Sequence, residues 1–256
     1  MSDVPEDGSC AAYRPETPWK PWPAVGLVLV ASLAPMLIGL AVWIAQDARL
    51  IEAGGELPSR DGIPSLASPF VLAQMIAGQL LSLAIVWGAA GWKGARAETL
   101  RLTPPQTGWL TAVGYGLLLL VLIGPIEILL YHLAGVALFT DGRWILDGLR
   151  SPYWWAVILA AVVLAPLWEE ISFRGFLLSA LAKSRLGFWP AALLSSGVWT
   201  ALHIGYSWPG LASVFLAGIG MSWIMLRTGS MRAVVVAHAV VNAFSLTVIS
   251  LFAPAY

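Results

Sequence analysis

The sequence predicts an all-α fold: a polytopic membrane helical bundle of about seven transmembrane helices, with six to eight allowed by its apolar runs. Three observations carry that expectation. The 256 residues are 59% hydrophobic and 11% charged, with a mean hydropathy of +0.79, as in chains that live in lipid. Charge-free runs of about 20 residues, the length needed to cross a hydrocarbon core, recur along the chain. Trp19, Trp22, Trp92, Trp109, Trp154, Trp155 and Trp189 fall near the ends of those runs, where interfacial anchors belong.

Residues 1–23 read as a polar, Pro-rich cytoplasmic tail. Cys10 lies there with no apolar run before it, so it reads as a free thiol and not as a lipid-modified cysteine. A single cysteine rules out an internal disulfide and a Cys-based zinc site. Ala24 to Gln46 is the first span, too long for a signal-peptide core and read as retained. The second is about Pro69 to Ala90. The third runs from Leu102 to about Phe139, interrupted by Glu127 and His132, and is long enough to hide a re-entrant piece or a break at Gly124-Pro125. These helices make up an N-terminal unit, residues 24–152. A fourth span starts near Tyr153 and opens the unit 153–252. Leu186 to Leu226 holds 41 residues without a charge, enough for two spans, with Ser207-Trp208-Pro209-Gly210 as the turn. The last span is about Ala233 to Phe252.

Loop charge sets the orientation. Arg14, Lys20, Lys93, Arg96, Arg101, Lys183, Arg185, Arg227 and Arg232 fall on one side; Arg49, Arg60, Arg143 and Arg150 fall on the other. Nine against four puts the N-terminus in the cytoplasm and the C-terminus outside, in what reads as a bacterial inner (cytoplasmic) membrane. The net charge of zero offers no basic face to nucleic acid. The partners expected are the lipid bilayer and a protein or peptide substrate.

The chemistry concentrates where the fourth span is interrupted by Trp168-Glu169-Glu170-Ile171-Ser172-Phe173-Arg174-Gly175. A charge at the centre of a span costs roughly 2.5–3.5 kcal/mol, so such a cluster marks a functional site. Glu170 and Arg174 are four apart and share a helix face, which suits a pair, whereas Glu169 is turned about 100° away. After Glu170 the chain has no further Asp or Glu, so any base in the later spans is a histidine. Glu169 and His203 each lie 17 residues from Leu186, about 25 Å at helical rise, hence level across an antiparallel hairpin. His238 is only about 13 Å from its turn near Gly229, so it reaches the same level only if the first hairpin projects about 10 Å further. His238 and Asn242 share a face; so do Trp199 and His203. A carboxylate beside imidazoles in a cavity reached from the cytoplasm suits activation of water, and His and Asn donors suit an oxyanion. Ser172, Ser195 and Ser196 fit no nucleophile elbow and read as helix-packing residues. Gln74 and Gln79 read as interhelical hydrogen bonds, and Glu127 and His132 as structural polarity without a mutual pair.

Glu169-Glu170-x-x-x-Arg174, Trp199-x-x-x-His203 and His238-x-x-x-Asn242, in that order and in separate spans, resemble the three motifs of the CPBP intramembrane proteases. That family takes in the type II CAAX prenyl endopeptidases, the Abi proteins and the myxosortase-type enzymes. The resemblance covers about Tyr153 to Phe252, and Trp199 stands where the family usually has Phe. It implies that Glu169 and His203 activate the attacking water. It also implies that His238 and Asn242 line the oxyanion site, with Glu170, Arg174 and Trp199 supporting. A zinc ion held by Glu169, His203 and His238 is the alternative to a metal-free glutamate mechanism, which we favour. Two other functions compete with an endopeptidase. One is a non-catalytic immunity or scaffold protein that binds a peptide or secretion partner. The other is a proton-coupled transporter, disfavoured by the lack of inverted repeats.

Overall fold

A computed structural model describes residues 13–54, 65–105 and 108–253, which leaves the expectations for Cys10 and Arg60 outside the described residues. Among those residues all regular structure is helical. The helices are α1 (Pro21–Glu52), α2 (Pro69–Trp92), α3 (Arg96–Leu100), α4 (Trp109–Ala134), α5 (Arg143–Arg150), α6 (Trp154–Ala182), α7 (Phe188–Ala201), α8 (Trp208–Thr228) and α9 (Met231–Phe252). Six of them, α1, α2, α4, α6, α8 and α9, are long and apolar enough to cross a membrane. The seventh expected span is α7, which has 14 residues, about 21 Å, and falls short of a hydrocarbon core of about 30 Å.

Three boundaries differ from expectation. Pro125 does not break α4, which continues to Ala134 and ends on Gly135 in the left-handed conformation (φ 64°). The helix stops five residues before Phe139, and a single-turn 3₁₀ segment, Thr140–Gly142, and the amphipathic α5 occupy what reads in sequence as the connection to the fourth span. Ser207-Trp208-Pro209-Gly210 is not the turn but the start of α8. Ser207 is the N-cap, its side chain accepting from Gly210 N, and Pro209 sits in the first turn, where its missing N–H costs nothing. The turn lies earlier, between Ala201 and Ser207.

Proline within a helix frees the carbonyl four residues back, and here neighbouring helices take up the freed groups. Pro35 in α1 cannot donate to Ala31 O, and the Ser82 hydroxyl of α2 donates there instead at 2.8 Å. In α6 the segment Leu159–Leu164 has π-helical pairing, so Ala165 N–H donates to Ala160 O, five residues back. The next carbonyl in that register, Ala161 O, would need an N–H from Pro166, which has none. Asn242 Nδ2 of α9 donates to Ala161 O at 2.8 Å, and Gln79 Nε2 of α2 adds a bond to Ala160 O at 3.3 Å. A second π-helical segment, Ile171–Leu177, follows the two glutamates. There Ser195 Oγ of α7 donates to Phe173 O at 2.8 Å. Gln74 accepts from the Trp43 indole at 2.8 Å, so both glutamines form interhelical bonds, as expected.

Every residue from Glu170 to Ala182 is buried, and α1, α2, α3, α7, α8 and α9 pack around this half of α6. Residues ahead of α1 also join in: Tyr13 and Thr17 are buried, with Tyr13 Oη and Ser179 Oγ 2.9 Å apart and Thr99 Oγ1 3.1 Å from Thr17 Oγ1. Burial pushes the Tyr13 phenol up to about 12. The register of the two hairpins follows from Gly175. A Cβ there would lie 3.1 Å from Met231 Cε and 3.2 Å from a Leu100 methyl. The start of α9 is therefore level with residue 175, seven residues short of the end of α6. The first hairpin projects about 10 Å beyond the second, as the depth of His238 requires.

Candidate active site

Two adjacent carboxylates leave α6 in different directions. Glu170 points inward and is fully buried, and its Oε1 accepts from Arg174 Nη1 at 3.1 Å and lies 2.7 Å from His238 Nδ1. Arg174 is also fully buried, which only paired charge can sustain. The packing makes room for it at Gly218 of α8, where a Cβ would lie 2.9 Å from Arg174 Nη2. The pairing of Glu170 with Arg174 follows from their spacing. His238, expected at the oxyanion, adds a contact with Glu170 that needs the tertiary fold and left no sequence signal.

Glu169 is half-buried and faces α7. Trp199 Nε1 donates to its Oε2 at 2.8 Å. The same indole, 4% exposed, lies edge-on to His203 (ring centroids 5.2 Å) and to His238 (5.6 Å), and the Arg174 guanidinium sits over it at 4.3 Å. Trp199 is thus the common neighbour of Glu169, Arg174, His203 and His238. Sequence reasoning gives this position only an aromatic wall; the added function comes from its ring N–H, which Phe lacks. His203 stands two residues beyond α7, its Nδ1 3.0 Å from Trp199 O. A carbonyl can only accept, so Nδ1 carries the proton and Nε2 is left for chemistry. Nδ1 of His238 faces Glu170 Oε1 and donates to it, so it too carries a proton. Tyr206, unmarked in the sequence beyond its position three after His203, lies edge-on to that ring at 5.2 Å.

Asn242, the expected oxyanion donor, spends one amide N–H on Ala161 O, which leaves the other N–H and the carbonyl oxygen. Ser195 is held by Phe173 O, consistent with a packing role. Glu127 is half-buried and His132 exposed. Among the described residues, no three His, Cys, Asp or Glu side chains come together closely enough to hold a metal ion.

Two carboxylates, a guanidinium, two imidazoles and an amide thus lie within one helical bundle. Residues 151–244, which contain every candidate site residue, match the family of type II CAAX prenyl endopeptidases described as Rce1-like. A curated relative, UPF0177 protein YxdF of Lactococcus lactis subsp. lactis (strain IL1403), is 27% identical over 89 residues, 35% of this chain and 48% of that protein. The chain thus spans about half the length of the curated relative it matches. No solved structure matches.

Proposed function

We propose that the protein is an intramembrane endopeptidase that hydrolyses a peptide bond near the C-terminus or membrane-proximal part of a protein substrate. The observation that carries this is the convergence of Glu169, His203 and His238 on the Trp199 ring, at 2.8, 5.2 and 5.6 Å. Glu169 takes a proton from water as the oxygen attacks the scissile carbonyl, and His203 Nε2 shares in orienting that water. Negative charge then grows on the former carbonyl oxygen. The second Asn242 N–H donates to it, and His238, held by Glu170 through Nδ1, lines the same site. Collapse of the tetrahedral intermediate expels the amine, which takes the proton from Glu169. No step is routed through a metal.

The N-terminus lies in the cytoplasm of a bacterial inner membrane in this reading, supported by the nine-to-four distribution of Lys and Arg. Glu169→Ala and His203→Ala proteins that remain folded in detergent should lose cleavage of an internally quenched peptide library that the parent protein cuts; full activity in both variants removes the assignment. A tight zinc chelator should leave the rate unchanged. Loss with chelator and restoration by zinc would replace the metal-free mechanism.

A further inference from the structure

The depth of the α7–α8 connection fixes the side from which the site is reached. Trp199, in the last turn of α7, bonds Glu169 near the midpoint of α6, so α7 stops at mid-membrane. The next helix, α8, has 21 residues and is about 31 Å long, so its N-terminus is at the membrane surface opposite Gly229. Residues 202–207 therefore climb from mid-depth to that surface without forming a helix. Non-helical backbone persists at such depth only where it is buried in protein or lines a water-filled cavity. Burial in protein is not the case here, since Ile204 is 81% exposed and Gly205 is exposed.

Polar side chains follow the same climb. Tyr206 lies edge-on to His203, and Asp141 accepts from Ser207 N at 2.7 Å, from Ser207 Oγ at 2.6 Å and from the Tyr131 hydroxyl. Polar groups within the membrane line water or a protein interior. The opposite half of the bundle is closed. Below Glu169, residues 170–182 are all buried, and Met221, Ile224, Met225, Val234 and Ala237 fill the space between them and the Lys- and Arg-rich turns.

We propose that the site is reached through a water-filled vestibule between residues 202–207 and the Asp141 turn. It opens on the non-cytoplasmic face, and the substrate is a polypeptide segment of an exported protein presented from that side. This rests on the peptidase reading and reverses the cytoplasmic access expected from sequence.

The test uses single cysteines in the full chain after Cys10→Ser. Ile204→Cys probes the vestibule, with Gly205→Cys as a second probe should the first fail to fold; Leu186→Cys marks the Lys- and Arg-rich end. A membrane-impermeant maleimide is applied to intact spheroplasts and to inside-out vesicles. The expected result is labelling of Ile204→Cys in spheroplasts alone and of Leu186→Cys in vesicles alone. Any other pattern overturns the proposal, including labelling of both residues from one side, or no labelling of Ile204→Cys, which would put the loop against lipid. Labelling needs no turnover, so an active Glu169→Ala protein would remove the peptidase reading and leave this result standing.

Discussion

Glu169 and Glu170 are the same side chain at neighbouring positions, yet they sit in opposite surroundings. Glu170 meets Arg174 and His238 in a dry knot, the first two fully buried and His238 4% exposed. Glu169 meets, among the described residues, a neutral donor in the Trp199 indole, and keeps part of its surface open. A carboxylate tied to a guanidinium on its own helix and an imidazole on the next is committed to holding α6 against α9. A carboxylate held by a neutral N–H keeps lone pairs for water. The bundle thus divides into a closed half that supplies rigidity and an open half that supplies reactivity, and the boundary falls between two consecutive residues.

Breaking the closed half should have the largest effect. Arg174→Ala leaves Glu170 as a buried charge with only His238 to offset it, and removing one partner of a buried pair costs about 3–5 kcal/mol. The expected outcome is a large fall in the detergent unfolding temperature, with activity lost as a consequence. Glu169→Gln acts in the reverse sense. Unfolding should shift little, while cleavage falls about 10²–10⁴-fold, the usual weight of a general base. If the two variants gave the same ratio of stability loss to activity loss, the division between the two glutamates would be wrong.

Trp199→Phe sharpens the comparison. The ring contacts with Arg174, His203 and His238 are kept, and only the N–H to Glu169 is removed. Removing the donor that positions the carboxylate should slow cleavage about tenfold or more, while the unfolding free energy falls by no more than one such hydrogen bond is worth, about 1.5–3 kcal/mol. An unchanged rate would show that the indole N–H does not position the carboxylate.

Much of this was legible beforehand, for identifiable reasons. Charge-free runs mark α1, α2, α4, α6, α8 and α9 because lipid leaves a helix no choice but to be apolar along its length. The i,i+4 spacing of Glu170 and Arg174 settles which carboxylate is paired, because that contact is local. The start of α8 was misplaced because Ser-Trp-Pro-Gly carries punctuation that serves equally well as a turn and as a helix N-terminus. Contacts between helices were not legible: nothing local marks that His238 selects Glu170, that Trp199 reaches Glu169, or that α7 stops at mid-depth. The π-helical segments left one trace, Pro166, whose missing N–H means something only once the register is known.

That trace supports the smallest and most specific prediction. Gln79 and Asn242 both donate to carbonyls of the first π-helical segment, but their targets differ. Ala160 O already accepts from Ala165 N–H, so Gln79→Leu removes a supplementary bond, worth about 0.6 kcal/mol by the average for such contacts in membrane proteins. Ala161 O has no N–H to fall back on, because its partner in that register is Pro166. Asn242→Leu therefore orphans the carbonyl of half-buried Ala161 and should cost more, about 1–3 kcal/mol, in detergent unfolding. Pro166→Ala returns the missing N–H, so the penalty for Asn242→Leu should shrink in that background, while the penalty for Gln79→Leu should not change. The double-mutant cycle reads this coupling directly. A penalty for Asn242→Leu that is identical in both backgrounds would mean that the amide is retained for its second N–H, facing the substrate, and not for its hold on the helix that presents the two glutamates.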